Sequence, residues 1–318
     1  MKAGLLKLGW LILELIVFVA LFVAIGFLLL AAIKAISGQA NLLGMPTTID
    51  ENTDPYVMGA NSFLPILISG LAASILTQVY IFKRPYPDLG FVTKDLLSMF
   101  GKGWLWSMAL IIPGFLLLWL WNQIDLLPPT WNVYYFIGFF LFFIVQSGGE
   151  EVLTRAYLIN LVEGRFGTLI AVILSASIFA IMHLGNDHFN WIGFTNILLG
   201  GFLMALFFIL YRNIWICTGL HAGWNFVQAS LLDFNVSGID VYSFIQFKDT
   251  GYLRLTGASF GYEGSLLAVV IQSLALVYFI RANKDKLQLV FSPPSIPIPV
   301  SDETPPIVGQ EPIAPDLP

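Results

Sequence analysis

Between Leu11 and Ile33 the chain carries a single ionisable side chain, Glu14. A stretch this apolar on every face has to be enclosed by lipid or by other protein. Similar runs recur along most of the sequence. A membrane span needs about 20 mostly apolar residues, and eight stretches approach that length: 9–35, 62–82, 104–121, 133–162, 169–184, 191–211, 215–232 and 265–280. Charged residues make up 11% of the chain and hydrophobic ones 57%, where a soluble domain carries about 25% charge. Mean hydropathy is +0.81. The expectation is an all-α, polytopic transmembrane bundle of about eight spans.

Lys2 and Lys7 ahead of the first run resemble a secretory signal. However, the apolar stretch is too long for one and no persuasive cleavage site follows, so it reads as a signal-anchor helix. Placing the N-terminus in the cytoplasm puts Lys2, Lys7, Lys83, Arg84, Lys94, Lys102, Arg165, Arg212, Arg281, Lys284 and Lys286 on the cytoplasmic side. Only Lys34, Lys248 and Arg254 then fall outside, with Arg155 inside the membrane, an asymmetry that favours this orientation. An even number of spans returns the C-terminus to the cytoplasm. Trp10, Trp104, Trp121, Trp131, Trp191, Tyr211 and Trp215 mark span ends and read as an interfacial belt. Gly200-Gly201 and Ser175-Ala176-Ser177 read as close helix contacts. The net charge of −5 and the absence of a basic block give no sign of a nucleic-acid partner. The single cysteine, Cys217, rules out an intrachain disulfide.

Four regions follow: membrane helices and an outer loop over 1–130, a polar-bearing helical core over 131–232, a second outer loop and last helix over 233–290, and a tail over 291–318. The loop at 39–61 is polar and acidic. The loop at 235–263 alternates around Asp249-Thr250-Gly251, the pattern of a small hairpin. It reads as a surface loop, with capping of the bundle's outer end as the second reading. The proline-rich tail from 292 reads as disordered, with polyproline II character.

Ionisable groups inside a bilayer are costly, and each needs a reason. Glu14 is near a span end, where it snorkels or pairs with a neighbour. The rest cluster: Glu150, Glu151 and Arg155 in the fourth run, His183 at the end of the fifth, and His221 in the seventh with Asn225 one turn on. Glu151 and Arg155 are four apart and pair along one face. Glu150 points about 100° away, free to face the bundle. A structural ion pair is the bland reading of that helix. Phe179 and His183 share the four-residue spacing, as do His221 and Asn225. At about 1.5 Å per residue, Glu150, His183, His221 and Asn225 lie roughly 20, 24, 12 and 18 Å from the cytoplasmic edge. Three helices thus bring polar groups to similar depth near the middle of a core about 30 Å thick.

The ordered set Glu150-Glu151-x-x-x-Arg155, Phe179-x-x-x-His183 and His221-x-x-x-Asn225 resembles the CPBP family. These are the CAAX proteases and bacteriocin-processing enzymes, also called Abi, with the Ras-converting CAAX endopeptidase as a eukaryotic branch. The resemblance covers roughly residues 133–232. Many bacterial members read Phe-Arg-Gly where this chain has Thr154-Arg155-Ala156, which implies altered packing around a retained arginine.

The resemblance implies an intramembrane glutamic endopeptidase. Glu150 would activate a water, with His183 holding it. His221 and Asn225 would donate to the tetrahedral oxyanion, and Glu151, Arg155 and Phe179 would support them. The implied partner is a membrane-associated peptide or protein, possibly lipidated, in contact with lipid, with a prokaryotic plasma membrane as the setting. Glu150, His183 and His221 would also make an acceptable zinc set. The helical His-Glu-x-x-His pattern is absent, and Asn225 suits a hydrogen-bond donor better than a ligand, so no cofactor is expected. Two other classes stay open: a non-catalytic membrane scaffold of the same fold, and a proton-coupled transporter using Glu150 and His183 as a relay.

Overall fold

The computed structural model describes residues 2–37, 54–58, 63–84 and 89–291. The tail from 292 and most of the 39–61 loop, with the expectations placed on them, lie outside these residues. The helices are α1 (Lys2–Ser37), α2 (Leu64–Ile81), α3 (Leu96–Leu120), α4 (Val133–Phe166), α5 (Thr168–Met182), α6 (Trp191–Tyr211), α7 (Ile214–Asn225, prolonged by a π-helical stretch Phe226–Leu231), α8 (Leu266–Ala282) and α9 (Lys284–Phe291). Short polar residues start several of them. Asn132, Asn190, Asn213 and Ser265 each accept a bond from a backbone N–H in the first turn of α4, α6, α7 and α8. These caps satisfy donors that lipid cannot.

The chain is a multi-pass membrane protein. Among the described residues, five helices are long and apolar enough to cross a bilayer: α1, α2, α3, α4 and α6. A sixth arises if α8 and α9, which meet at a 78° bend, count as one span. The other two expected spans are helical but do not qualify. α5 has only 15 residues, and α7 carries His221, Asn225 and Gln228. α7 is instead the buried centre of the bundle, with Ile214 and every residue from Ile216 to Asn225 buried. Glycines let α3 come against it. A Cβ on Gly103 would sit 2.1 Å from the Ile216 carbonyl oxygen, and one on Gly219 would sit 2.1 Å from that of Phe100. This backbone contact fixes the depth of His221, two residues on from Gly219. α6 lies against α5 in the same way, with Gly201 packed on Ala176.

Three local expectations change. The hairpin around Asp249 does not form. Phe247–Asp249 (β2) pairs antiparallel with Ile124–Leu126 (β1), Ile124 opposite Asp249, and Leu253–Thr256 is a helical turn. The residues after α3 offer an open edge. Asp233 Oδ2 accepts the Phe247 amide at 3.0 Å, and the Phe247 ring sits on Phe234 and Phe115. The 235–263 loop is more than surface covering: Val236, Ser237, Val241 and Glu263 line a cavity in the bundle. Trp104 is packed inward against Phe100, Phe140 and Phe226 rather than in a belt.

At one end of the bundle Glu14 is fully buried and paired rather than snorkelling. Arg84 Nη1 lies 2.8 Å from its Oε1, and Arg165 bonds its Oε2. Tyr157, stacked on Phe18, donates to the Glu14 backbone carbonyl at 3.1 Å. This knot ties α1 and the end of α2 to α4.

Candidate active site

α4 widens into a π-helical turn at Val152–Tyr157, immediately after the two glutamates. Such turns re-aim side chains and recur at functional sites. Thr154 Oγ1 donates to the Glu150 backbone carbonyl at 2.6 Å and accepts from Arg155. Thr154, one of the two residues that depart from the Phe-Arg-Gly pattern, thus packs into the turn that presents the pair.

The two carboxylates divide as their helical angle predicts. Glu151 is fully buried, with Oε2 3.2 Å from Arg155 Nε. Its other oxygen, Oε1, is 2.9 Å from His221 Nδ1, a contact that sequence spacing did not reveal. Arg155 in turn rests over the Phe179 ring, 4.5 Å from the centroid. Glu150 faces a cavity of about 240 Å³ lined by α4, α5, α6, α7, α8 and the 235–263 loop. Its side chain is 19% exposed, that of His183 13% and that of His221 7%. Buried as they are, all three remain reachable from the cavity.

Glu150 Oε2 is 4.0 Å from His183 Nε2 and 3.8 Å from His221 Nε2. Among the described residues it is a buried oxygen that accepts no hydrogen bond. The ring orientations are fixed from behind. His183 Nδ1 is 2.8 Å from the Phe179 carbonyl, which can only accept, so Nδ1 carries a proton and Nε2 faces the glutamate. His221 is turned the same way by Glu151. Phe179 meets both rings, 4.9 Å from His183 and 5.4 Å from His221 between centroids.

Asn225 lines the same cavity. Its Nδ2 donates to Gln146 Oε1 at 2.8 Å, and Gln146 Nε2 donates to Glu150 Oε1. Gln146 therefore links the asparagine to the glutamate. A scan for ionisable groups passes over it, although it sits one helical turn before Glu150 in an otherwise apolar run. Glu150, His183, His221 and Asn225 are thus brought to one cavity, with Glu151, Arg155 and Phe179 behind them. For the zinc alternative, Glu150, His183 and His221 do face one another. Yet among the described residues no three His, Cys, Asp or Glu side chains form a group able to hold a metal.

This arrangement falls within residues 131–227, which match the family described as Type II CAAX prenyl endopeptidase Rce1-like. The matched segment, under a third of the chain, is similar to that CAAX-protease family. It contains all three motifs read from the sequence and ends just beyond Asn225. The caging residues of the 235–263 loop and Gln272 of α8 lie outside it. No curated protein matches the chain.

Proposed function

We propose that the chain is an intramembrane glutamic endopeptidase that cleaves a membrane-associated, possibly lipidated, peptide or protein. The reading is carried by one observation: the buried, unbonded Oε2 of Glu150 between two histidine Nε2 atoms. A water that donates both protons at about 2.8 Å bridges acceptors about 4.4 Å apart. The 4.0 Å between Glu150 Oε2 and His183 Nε2 is close to that span. Water held there presents its lone pairs outward, toward a scissile carbonyl.

Glu150 takes the proton as the water attacks and passes it to the departing amine. Asn225 has one Nδ2 proton on Gln146 and one left for the oxyanion. His221 joins it as an imidazolium, with Nδ1–H on Glu151 and Nε2–H toward the developing charge. In that form the cluster of Glu150, Glu151, Arg155 and His221 is electrically neutral, which suits a buried site. Preorganised donors of this kind contribute about 3 kcal/mol each in the transition state. No metal or cofactor takes part. The distribution of lysine and arginine favours cytoplasmic termini, in what we take to be a prokaryotic plasma membrane.

Purified protein and its Glu150→Gln variant should be given a membrane-peptide library with and without chelator. The reading expects specific cleavage by the wild type, unaffected by chelator, and at least about 10³-fold slower cleavage by a folded variant. Equal cleavage by both proteins, or none by either, overturns it. Activity abolished by chelator and restored by zinc transfers the water to a metal held by Glu150, His183 and His221.

A further inference from the structure

The cavity that holds Glu150 is also lined by Glu263, Asn196 and Gln272, polar residues that the proposed hydrolysis does not use. Glu263 belongs to a short helical turn, Tyr262–Gly264, and is 4% exposed. Its position is set by Gly261, which has φ +96°, where a Cβ would meet the Asn235 carbonyl oxygen at 1.7 Å. Ser237 Oγ donates to Glu263 Oε1 at 2.5 Å, and Trp224 also bonds the carboxylate. Among the described residues no lysine, arginine or histidine nitrogen lies within 4.0 Å of the carboxylate, and His183, which lines the same cavity, acts on it from farther off.

Two amide oxygens join it. Asn196 Oδ1 on α6 and Gln272 Oε1 on α8 are buried, line the same cavity and accept no hydrogen bond. Asn196 is 1% exposed and Gln272 5%. The three come from adjoining elements. Gln272 lies over Gly200, one turn beyond Asn196 on α6, and the Glu263 turn packs on α6 as well. A buried acceptor left unpaired is costly, and a buried carboxylate without an ion-pair partner is costlier still. Such a lining is stable in use when a ligand brings both donors and positive charge.

We infer that Glu263, Asn196 and Gln272 form a subsite for a lysine side chain of the substrate, in the cavity that holds Glu150. An ammonium offers three donors and one charge to three acceptors of which one is anionic. The site so described rests on the peptidase reading only for its word substrate; binding is independent of cleavage.

The test uses acetyl-capped, fluorescently marked leucine–alanine peptides carrying one lysine or, at the same place, norleucine, the position being moved along the peptide. Binding is measured to Glu150→Gln protein in detergent, and cleavage with the wild type. At one position lysine should bind at least about tenfold tighter than norleucine, the scale of a desolvated charge pair. Adding Glu263→Gln should bring the ratio to near one. Gln272→Leu, which alters no charge, should reduce it and serves if Glu263→Gln does not fold. A free amino terminus in place of the acetyl cap should not substitute for lysine. Equal affinities at every position, or a preference that survives both substitutions, overturns the subsite. A lysine preference in binding without any cleavage by the wild type retains the subsite and sinks the peptidase reading; cleavage with no preference does the reverse.

Discussion

Glu151 Oε1 lies 2.9 Å from His221 Nδ1, while its other oxygen faces Arg155. One buried carboxylate thus holds the ring of a site histidine and answers a buried guanidinium. These duties separate by mutation. Glu151→Gln leaves Arg155 without an anion, an uncompensated buried charge that destabilises by about 3–5 kcal/mol. It also frees His221 to turn, which should lower kcat by on the order of 10²-fold or more. In Glu151→Gln with Arg155→Met the stability loss should shrink while kcat stays low. Thermal unfolding and kcat, measured on the same preparations, check this. Recovery of both together would mean that Glu151 only balances charge.

Gln146 carries the contact between the asparagine and the glutamate. With Gln146→Leu, Asn225 loses its acceptor and Glu150 loses the donor on Oε1. Both would remain on their helices but less well aimed. The expected result is a drop of about 10- to 10²-fold in kcat with KM little changed. A rise in KM alone would place Gln146 in substrate binding instead.

Much of this site is legible from spacing. Helical geometry separates Glu150 from Glu151, pairs Glu151 with Arg155, and stacks Phe179 under His183, because each relation lies within one helix. Relations between helices are not written in any period. The Glu151–His221 contact depends on the Gly103 and Gly219 approach of α3 to α7 and on the α4 π turn, neither of which leaves a hydrophobic signature. The same holds for α7, whose polar residues exclude it as a lipid-facing span although it is the most enclosed helix. The misread hairpin shows the limit for short strands: the strand that forms is Phe247–Asp249, and its partner, Ile124–Leu126, lies over 100 residues away in sequence, where alternation alone does not choose a partner.

The Glu14 knot yields a prediction remote from the cavity. Two arginines, Arg84 and Arg165, converge on this one buried carboxylate, with side chains 24% and 15% exposed. Burial pushes the Arg84 guanidinium below its ordinary value, and Glu14 draws it back. Glu14→Gln removes the shared anion and leaves two cations facing each other. Stability in detergent should fall by about 2–3 kcal/mol, less than for a wholly buried pair because water reaches both arginines. Cleavage at a temperature where the variant is folded should persist. An unchanged melting temperature would show that the knot is incidental to the bundle.

Glu263 ties stability to pH in a direction opposite to most carboxylates. Burial raises its pKa above the ordinary 4.5, and the bonds from Ser237 and Trp224, with His183 nearby, offset only part of that. The unfolded chain therefore gives up this proton first as pH rises. The group's contribution to stability is complete below about pH 4.5 and is lost as pH climbs through the raised folded-state value. Glu263→Gln carries no such titration. Its melting temperature relative to wild type should be close to equal near pH 4 and clearly higher near pH 8. A variant less stable than wild type near pH 8 would mean that the carboxylate is already compensated in the resting protein. The lysine subsite sharpens the expectation, since a ligand that binds only the folded state stabilises it. Lysine peptide should raise the melting temperature of the Glu150→Gln protein most near pH 8, where Glu263 bears its uncompensated charge. It should do little for the same protein carrying Glu263→Gln. The substitution that relieves the resting molecule is then the one that removes its reason for holding a lysine.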